Sequence, residues 1–155
     1  MQISETMMNV LLGVLILGLL VVNFFVRKRK SDKAPIGMAV GVYVEVSKNL
    51  KMIDNGTLHW NSGGLRVKNW QRNHDKLSFL PSDILDNLAA ANRVVEEVNQ
   101  QLEYARRYKS DSYLQGIDFK RLKAPLEKVQ QPLLEWIQEN LRNPAYQPKR
   151  RGLFG

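Results

Sequence analysis

Between Glu5 and Arg27 the chain carries no charged residue, and the run Met7–Val26, MMNVLLGVLILGLLVVNFFV, is 20 residues long. At about 1.5 Å per residue a helix of that length spans roughly 30 Å, the thickness of a bilayer's hydrocarbon core. No packed water-soluble core of ordinary design needs such a stretch, so this feature governs everything after it. Asn9 and Asn23 lie near the two ends of the run, Phe24 and Phe25 at one edge, and Arg27, Lys28, Arg29 and Lys30 follow at once.

A cleaved signal peptide is the competing reading. It needs a positive leading region, a shorter apolar core and a small-residue cleavage site. The leading residues here are MQISE, with one negative charge, and the residues after the run are bulky and then basic. The pattern therefore predicts a retained single-pass helix over 7–26. The positive-inside rule sets residues 1–6 outside and everything from Arg27 onward in the cytoplasm. Gly13 and Gly18 are five apart, which is not the GxxxG spacing of closely packed membrane helices. No ionisable residue lies within the run, so nothing there suggests an ion or proton path.

The chain has 155 residues and a net charge of +8, which would suggest nucleic acid if the charge were spread evenly. It is not. Residues 27–33 hold five basic residues and Asp32, and Lys149, Arg150 and Arg151 hold three more. The stretch 34–148 is nearly balanced, with 15 basic and 13 acidic residues. A nucleic-acid partner is thus disfavoured. Arg27, Lys28, Arg29, Lys30, Lys149, Arg150 and Arg151 are instead expected to contact the membrane surface, where each basic residue gains about 1 kcal/mol from anionic lipid.

Beyond a basic juxtamembrane linker over 27–37, the apolar spacing predicts a mainly α fold: a small cytoplasmic helical bundle over 38–143, then a basic disordered tail over 144–155. Met38–Asn55 is ambiguous. Val40, Val42, Val44 and Val46 alternate like a strand, whereas Val42, Val46, Leu50 and Ile53 recur like a helix. Its length and the Asn55-Gly56 stop favour the helix. Residues 57–80 read as irregular. Leu58 and Trp60 with Leu65 and Val67 are placed to form a short hairpin about NSGG, and Trp60, Trp70, Leu77 and Phe79 to cap the core.

The clearest helix is Pro81–Lys109, with Ser82 as its expected N-cap. Ile84, Leu88, Ala91, Val95, Val98, Leu102 and Ala105 form a continuous heptad stripe. Ser110–Ile117 is a turn, and Asp118 the next N-cap. Leu122, Leu126, Val129, Leu133 and Trp136 continue the same stripe to Arg142, but Pro125 and Pro132 predict a kinked or two-piece helix with the prolines outward. Two such helices joined by a short turn form an antiparallel hairpin, and the Met38–Asn55 helix supplies a third member.

Chemistry is sparse. There is no cysteine, and His59 and His74 belong to no metal-ligand pattern. No phosphate loop or nucleophile elbow occurs. Glu96 and Glu97 are adjacent and diverge by about 100° on a helix. Arg106, Arg107, Tyr108 and Lys109, with Tyr104 and Tyr113, interleave bases and aromatics, which the helix C-terminus explains more simply than a nucleic-acid grip. The chain is expected not to be an enzyme, to take no cofactor or metal, and to bind or organise a protein partner at the membrane. The alternative is a small accessory subunit of a larger membrane enzyme complex.

The heptad register makes a direct prediction. Val98→Asp puts an unpaired charge on the buried stripe and should destabilise the 36–148 fragment by about 3 kcal/mol or more. Glu97→Lys, on the outward side, should change its stability by less than about 0.5 kcal/mol. Urea unfolding followed by circular dichroism checks both, and equal effects would refute the assigned face.

Overall fold

The computed structural model describes residues 34–148, and these are mainly helical. Helix α1 spans Pro35–Asp54, α2 Lys68–Asn73, α3 Ser82–Tyr108 and α4 Phe119–Asn140. Short 3-10 turns occupy His74–Lys76 and Asp111–Leu114. Among the described residues there is no strand, so the hairpin expected about NSGG does not form. No helix among them is long and apolar enough to cross a membrane. The run 7–26 lies outside the described residues, as do Arg27–Lys30 and Lys149–Arg151.

The helical reading of Met38–Asn55 holds, but the helix begins earlier. Pro35 stands in its first turn, where a missing N–H would have had no helical partner and the fixed φ suits the helix. It ends on Gly56, at φ +60, whose N–H donates to Ile53 O while Thr57 N–H donates to Met52 O. This is a Schellman closure, in which glycine supplies the left-handed residue without strain.

Helix α3 starts at Ser82, so Ser82 is its first helical residue and not its cap; Pro81 holds the cap position and no side chain bonds there. Its whole expected stripe, Ile84 through Ala105, is buried. Val98 lies in the core and Glu97 outside it. The helix closes with the same pattern as α1, Lys109 N–H to Arg106 O and Ser110 N–H to Ala105 O, but here the left-handed position, φ 49, is a lysine.

Asp118 caps α4 as expected, accepting from the Lys120 and Arg121 N–H groups at 3.0 Å each. Leu122, Leu126, Val129, Leu133, Trp136 and Ile137 are buried. Contrary to the two-piece expectation, α4 runs unbroken through Pro125 and Pro132. Both prolines are half-buried on a flank of the helix and not outward. Packing of the long stripe on two neighbours outweighs the backbone bonds that the rings remove. Each fully buried Leu contributes about 1.5–3 kcal/mol.

Helix α4 is the shared member: it packs against both α1 and α3, which hardly touch each other. It is antiparallel to both. Lys123 Nζ of α4 reaches Asp54 at 2.9 Å and Gln130 reaches Ser47 at 3.1 Å, so its start faces the end of α1. The hydrogen bond to Asp54, then that to Glu127, holds the Lys123 ammonium above its ordinary pKa. At the other end Phe79, just before α3, stacks obliquely on Trp136 and Tyr146, with centroids 5.5 and 5.9 Å away. Helices α1 and α3 therefore run in the same direction, and the chain between them must travel back along the bundle.

Residues 144–148 fold against the bundle. Tyr146 packs on Trp136 at 5.2 Å, and its carbonyl accepts the Ile36 N–H at 3.1 Å. The described chain thus enters and leaves at one end of the bundle.

The left-handed Lys109 generates a test. A non-glycine residue there carries strain of about 1–2 kcal/mol, part of which glycine returns as unfolded-state freedom. Lys109→Gly should therefore stabilise the protein by about 0.5–1 kcal/mol. Chemical unfolding of the variant should show this gain, whereas Lys109→Val should lose stability.

Candidate functional site

The return segment, residues 55–81, is a strap laid in the groove between α1 and α3. It stands where a four-helix bundle would have its fourth helix. Leu58, Leu65, Leu77 and Leu80 point into the core, with Trp60, Val67, Trp70 and Phe79 packed at its margin. Trp60, Trp70 and Phe79 are the aromatic caps expected from sequence, held on the strap and not on a hairpin, whereas Leu77, expected beside them, is fully buried.

A strap without a neighbouring strand must pair its backbone by other means. Side chains of the two flanking helices, and of the 3-10 turn that follows α3, do so. Asp111 Oδ1 accepts the Trp60 N–H at 2.6 Å, and Arg106 donates to Ser62 O at 3.2 Å. Asn99 of α3 accepts the Leu65 N–H at 2.7 Å and donates back to Leu65 O at 2.9 Å. Asn49 of α1 does the same for Arg66, at 2.6 and 2.8 Å. One turn earlier on α1, Glu45 accepts from Asn69 at 2.7 Å and Trp70 at 3.0 Å, the N–H groups that open α2 and have no partner within it. Glu45 is 4% and Asn49 2% exposed, yet no buried side-chain polar atom among the described residues lacks a partner.

Two glycines make room for these clamps. A Cβ on Gly64 would lie 2.8 Å from Asn99 Oδ1, the atom that accepts the Leu65 N–H. A Cβ on Gly41 would lie 3.3 Å from Asn69 Oδ1.

Where the strap crosses α1 it leaves an open cleft of about 410 Å³. Val44, Leu65 and Val67 supply apolar surface, and Lys48, Arg66 and Lys68 stand around it. Glu45 also lines it, with both oxygens already bonded to the start of α2. The cations come from two elements far apart in sequence, α1 and the strap. Sequence reasoning missed this cluster because Lys48 and Arg66 are ordinary surface residues until the strap is laid down. The buried i, i+4 pair Glu45 and Asn49, polar residues on the apolar stripe of α1, was the one available signal.

The basic–aromatic interleaving is at the opposite end of the bundle from Ala34 and Pro148. Tyr108 and Tyr113 stack at 5.3 Å, and Arg107 sits 6.0 Å from the Tyr104 ring. Arg106 is engaged by Ser62 O and Arg107 approaches Glu103 at 3.9 Å. His59 Nδ1 lies 3.9 Å from Asp111 Oδ2, and no cluster of metal-ligating side chains occurs among the described residues. No family model, curated protein or solved structure matches the chain.

The clamp geometry predicts a rank order. Asn49→Ala strands both backbone groups of Arg66, which are part-buried, and should cost about 2–4 kcal/mol, at about 1–2 kcal/mol for each, the lower part of the range for an unpaired group. Gly64→Ala should cost about 1–3 kcal/mol through overpacking against Asn99. Asn73→Ala, which removes only a bond to Asn69 O within its own short helix, should cost less than about 1 kcal/mol. Denaturant midpoints of the three variants check the order.

Proposed function

We propose that this is a single-pass membrane-anchored protein whose helical domain holds a protein partner at the cytoplasmic face. The observation that carries the reading is the meeting of the two ends of the described region, Ile36 N–H on Tyr146 O at 3.1 Å. The uncharged run 7–26 and the basic residues Arg27–Lys30 lead into that end, and Lys149–Arg151 lead out of it.

The seven residues 27–33 reach at most roughly 25 Å when fully extended. An anchored bundle is thereby kept close to the bilayer, with both basic clusters starting from its membrane-facing end. Two clusters there act additively on an anionic leaflet, at about 1 kcal/mol per basic residue close to the surface. Salt weakens that attraction beyond a Debye length of about 8 Å. The side and far end of the bundle, including the strap cleft and the Tyr104–Tyr113 surface, are left free for a partner. The near-neutral domain favours protein over nucleic acid.

The full chain expressed in a bacterial host should stay with membranes after alkaline carbonate extraction. A reporter fused after Gly155 should fold in the cytoplasm and resist protease added to intact cells. Deleting 7–26 should release the protein from washed neutral membranes. Extraction by carbonate, or digestion of the domain from outside, would refute the anchor or its orientation.

A further inference from the structure

The strap cleft has a chemistry that narrows the partner. Val44 is 39% exposed on its floor, one helical turn from Val40 at 37%. Around it, Lys48, Arg66 and Lys68 make no ion pair among the described residues. The single carboxylate in the cleft, Glu45, is buried and spends both oxygens on the Asn69 and Trp70 N–H groups. The backbone under the cations is pinned by Asn49, so the side chains of Lys48 and Arg66 project from a preorganised frame.

We propose that this cleft docks a short acidic segment of a partner protein, an apolar side chain set on Val44 with flanking carboxylates on Lys48, Arg66 and Lys68. The proposal rests on the reading above for where the encounter happens, and names the partner chemistry that reading leaves open. Charge decides against the chain's own ends, since 27–33 and 149–151 are basic and would be repelled. Position decides against a lipid headgroup. Val44 and Lys48 lie roughly 14–20 Å along α1 from Pro35, on the side of the bundle. Composition decides against nucleic acid, because no aromatic ring lines the cleft to stack a base. Complementary charge of this kind mainly raises the encounter rate and fixes register, and the apolar contact slows release.

The test uses the full chain in non-ionic detergent and a fluorescein-labelled peptide, Glu-Glu-Leu-Asp-Glu-Leu-Glu, read by fluorescence anisotropy. The wild-type chain should bind it, with affinity falling as salt is raised. The Gln/Asn version of the peptide should bind at least about tenfold more weakly. The pair Lys48→Glu/Arg66→Glu, and the milder Lys48→Gln/Arg66→Gln, should lose about tenfold or more with unchanged circular dichroism. Val44→Asp should weaken binding as well. The pair Lys120→Glu/Lys128→Glu makes the same charge change on exposed positions of α4 and should leave binding within about twofold. Equal loss in both reversed pairs would show attraction to net charge and overturn the site. No binding by the folded wild-type chain would overturn it too, and so would a second copy of the chain displacing the peptide through this cleft. Carbonate extraction of the chain would sink the membrane reading and leave the anisotropy result standing, so the two failures are distinguishable.

Discussion

Two asparagine side chains, Asn49 and Asn99, hold the strap by giving and taking hydrogen bonds at adjacent strap residues, as a neighbouring β-strand would. Everything else in the architecture depends on this substitution. A chain that crosses a helical groove in extended form exposes N–H and C=O groups that its apolar side chains would bury unpaired, at about 1–3 kcal/mol for each. With Asn49, Asn99 and Glu45 satisfying them, Leu58, Leu65 and Leu77 can enter the core from a segment whose regular structure is limited to α2 and one 3-10 turn. The segment closes the side of the bundle that α4 does not reach.

That closure sets the direction of the helices. A short loop between α1 and α3 would make them antiparallel neighbours. A strap of full bundle length makes them run together, with α4 returning against both. The same topology brings Ala34 and Pro148 to one end and sends the Tyr108–Tyr113 stack to the other. The polarity that the proposed membrane anchor would require, one end for the bilayer and the rest for partners, would follow from how the first and second long helices are joined. The strap also creates the basic cleft. Its cations face solvent because the clamps fix the backbone and leave the Arg66 and Lys68 side chains outward.

Much of the helical core was legible along the chain. The stripes Ile84–Ala105 and Leu122–Trp136 are buried throughout, because a period of 3.5 residues has few other uses. The Asn55-Gly56 stop and the Asp118 cap were equally plain, since each rests on local stereochemistry. Where the local rules failed, packing had overruled them. Pro125 and Pro132 sit inside one continuous helix because α1 and α3 grip both sides of it. Ser82 does not cap because Pro81 already turns the chain into α3. The hairpin about NSGG does not form, and side-chain amides on the flanking helices pair the Leu65 and Arg66 backbone in place of an opposite arm.

Sequence by itself determined the long uncharged run, the split of positive charge into two terminal clusters, the two heptad faces and the places where the helices stop. These are properties of neighbours along the chain, where rise, period and charge are additive and need no partner. Tertiary structure alone decided that α1 and α3 are parallel, that residues 55–81 form a strap, that the two ends of the described region meet, and that Lys48, Arg66 and Lys68 surround one cleft. Each of these joins groups from 17 to 110 residues apart through a few directional bonds. Such bonds have no period for a sequence to display, and they exist only once the core has set the helices at their distances.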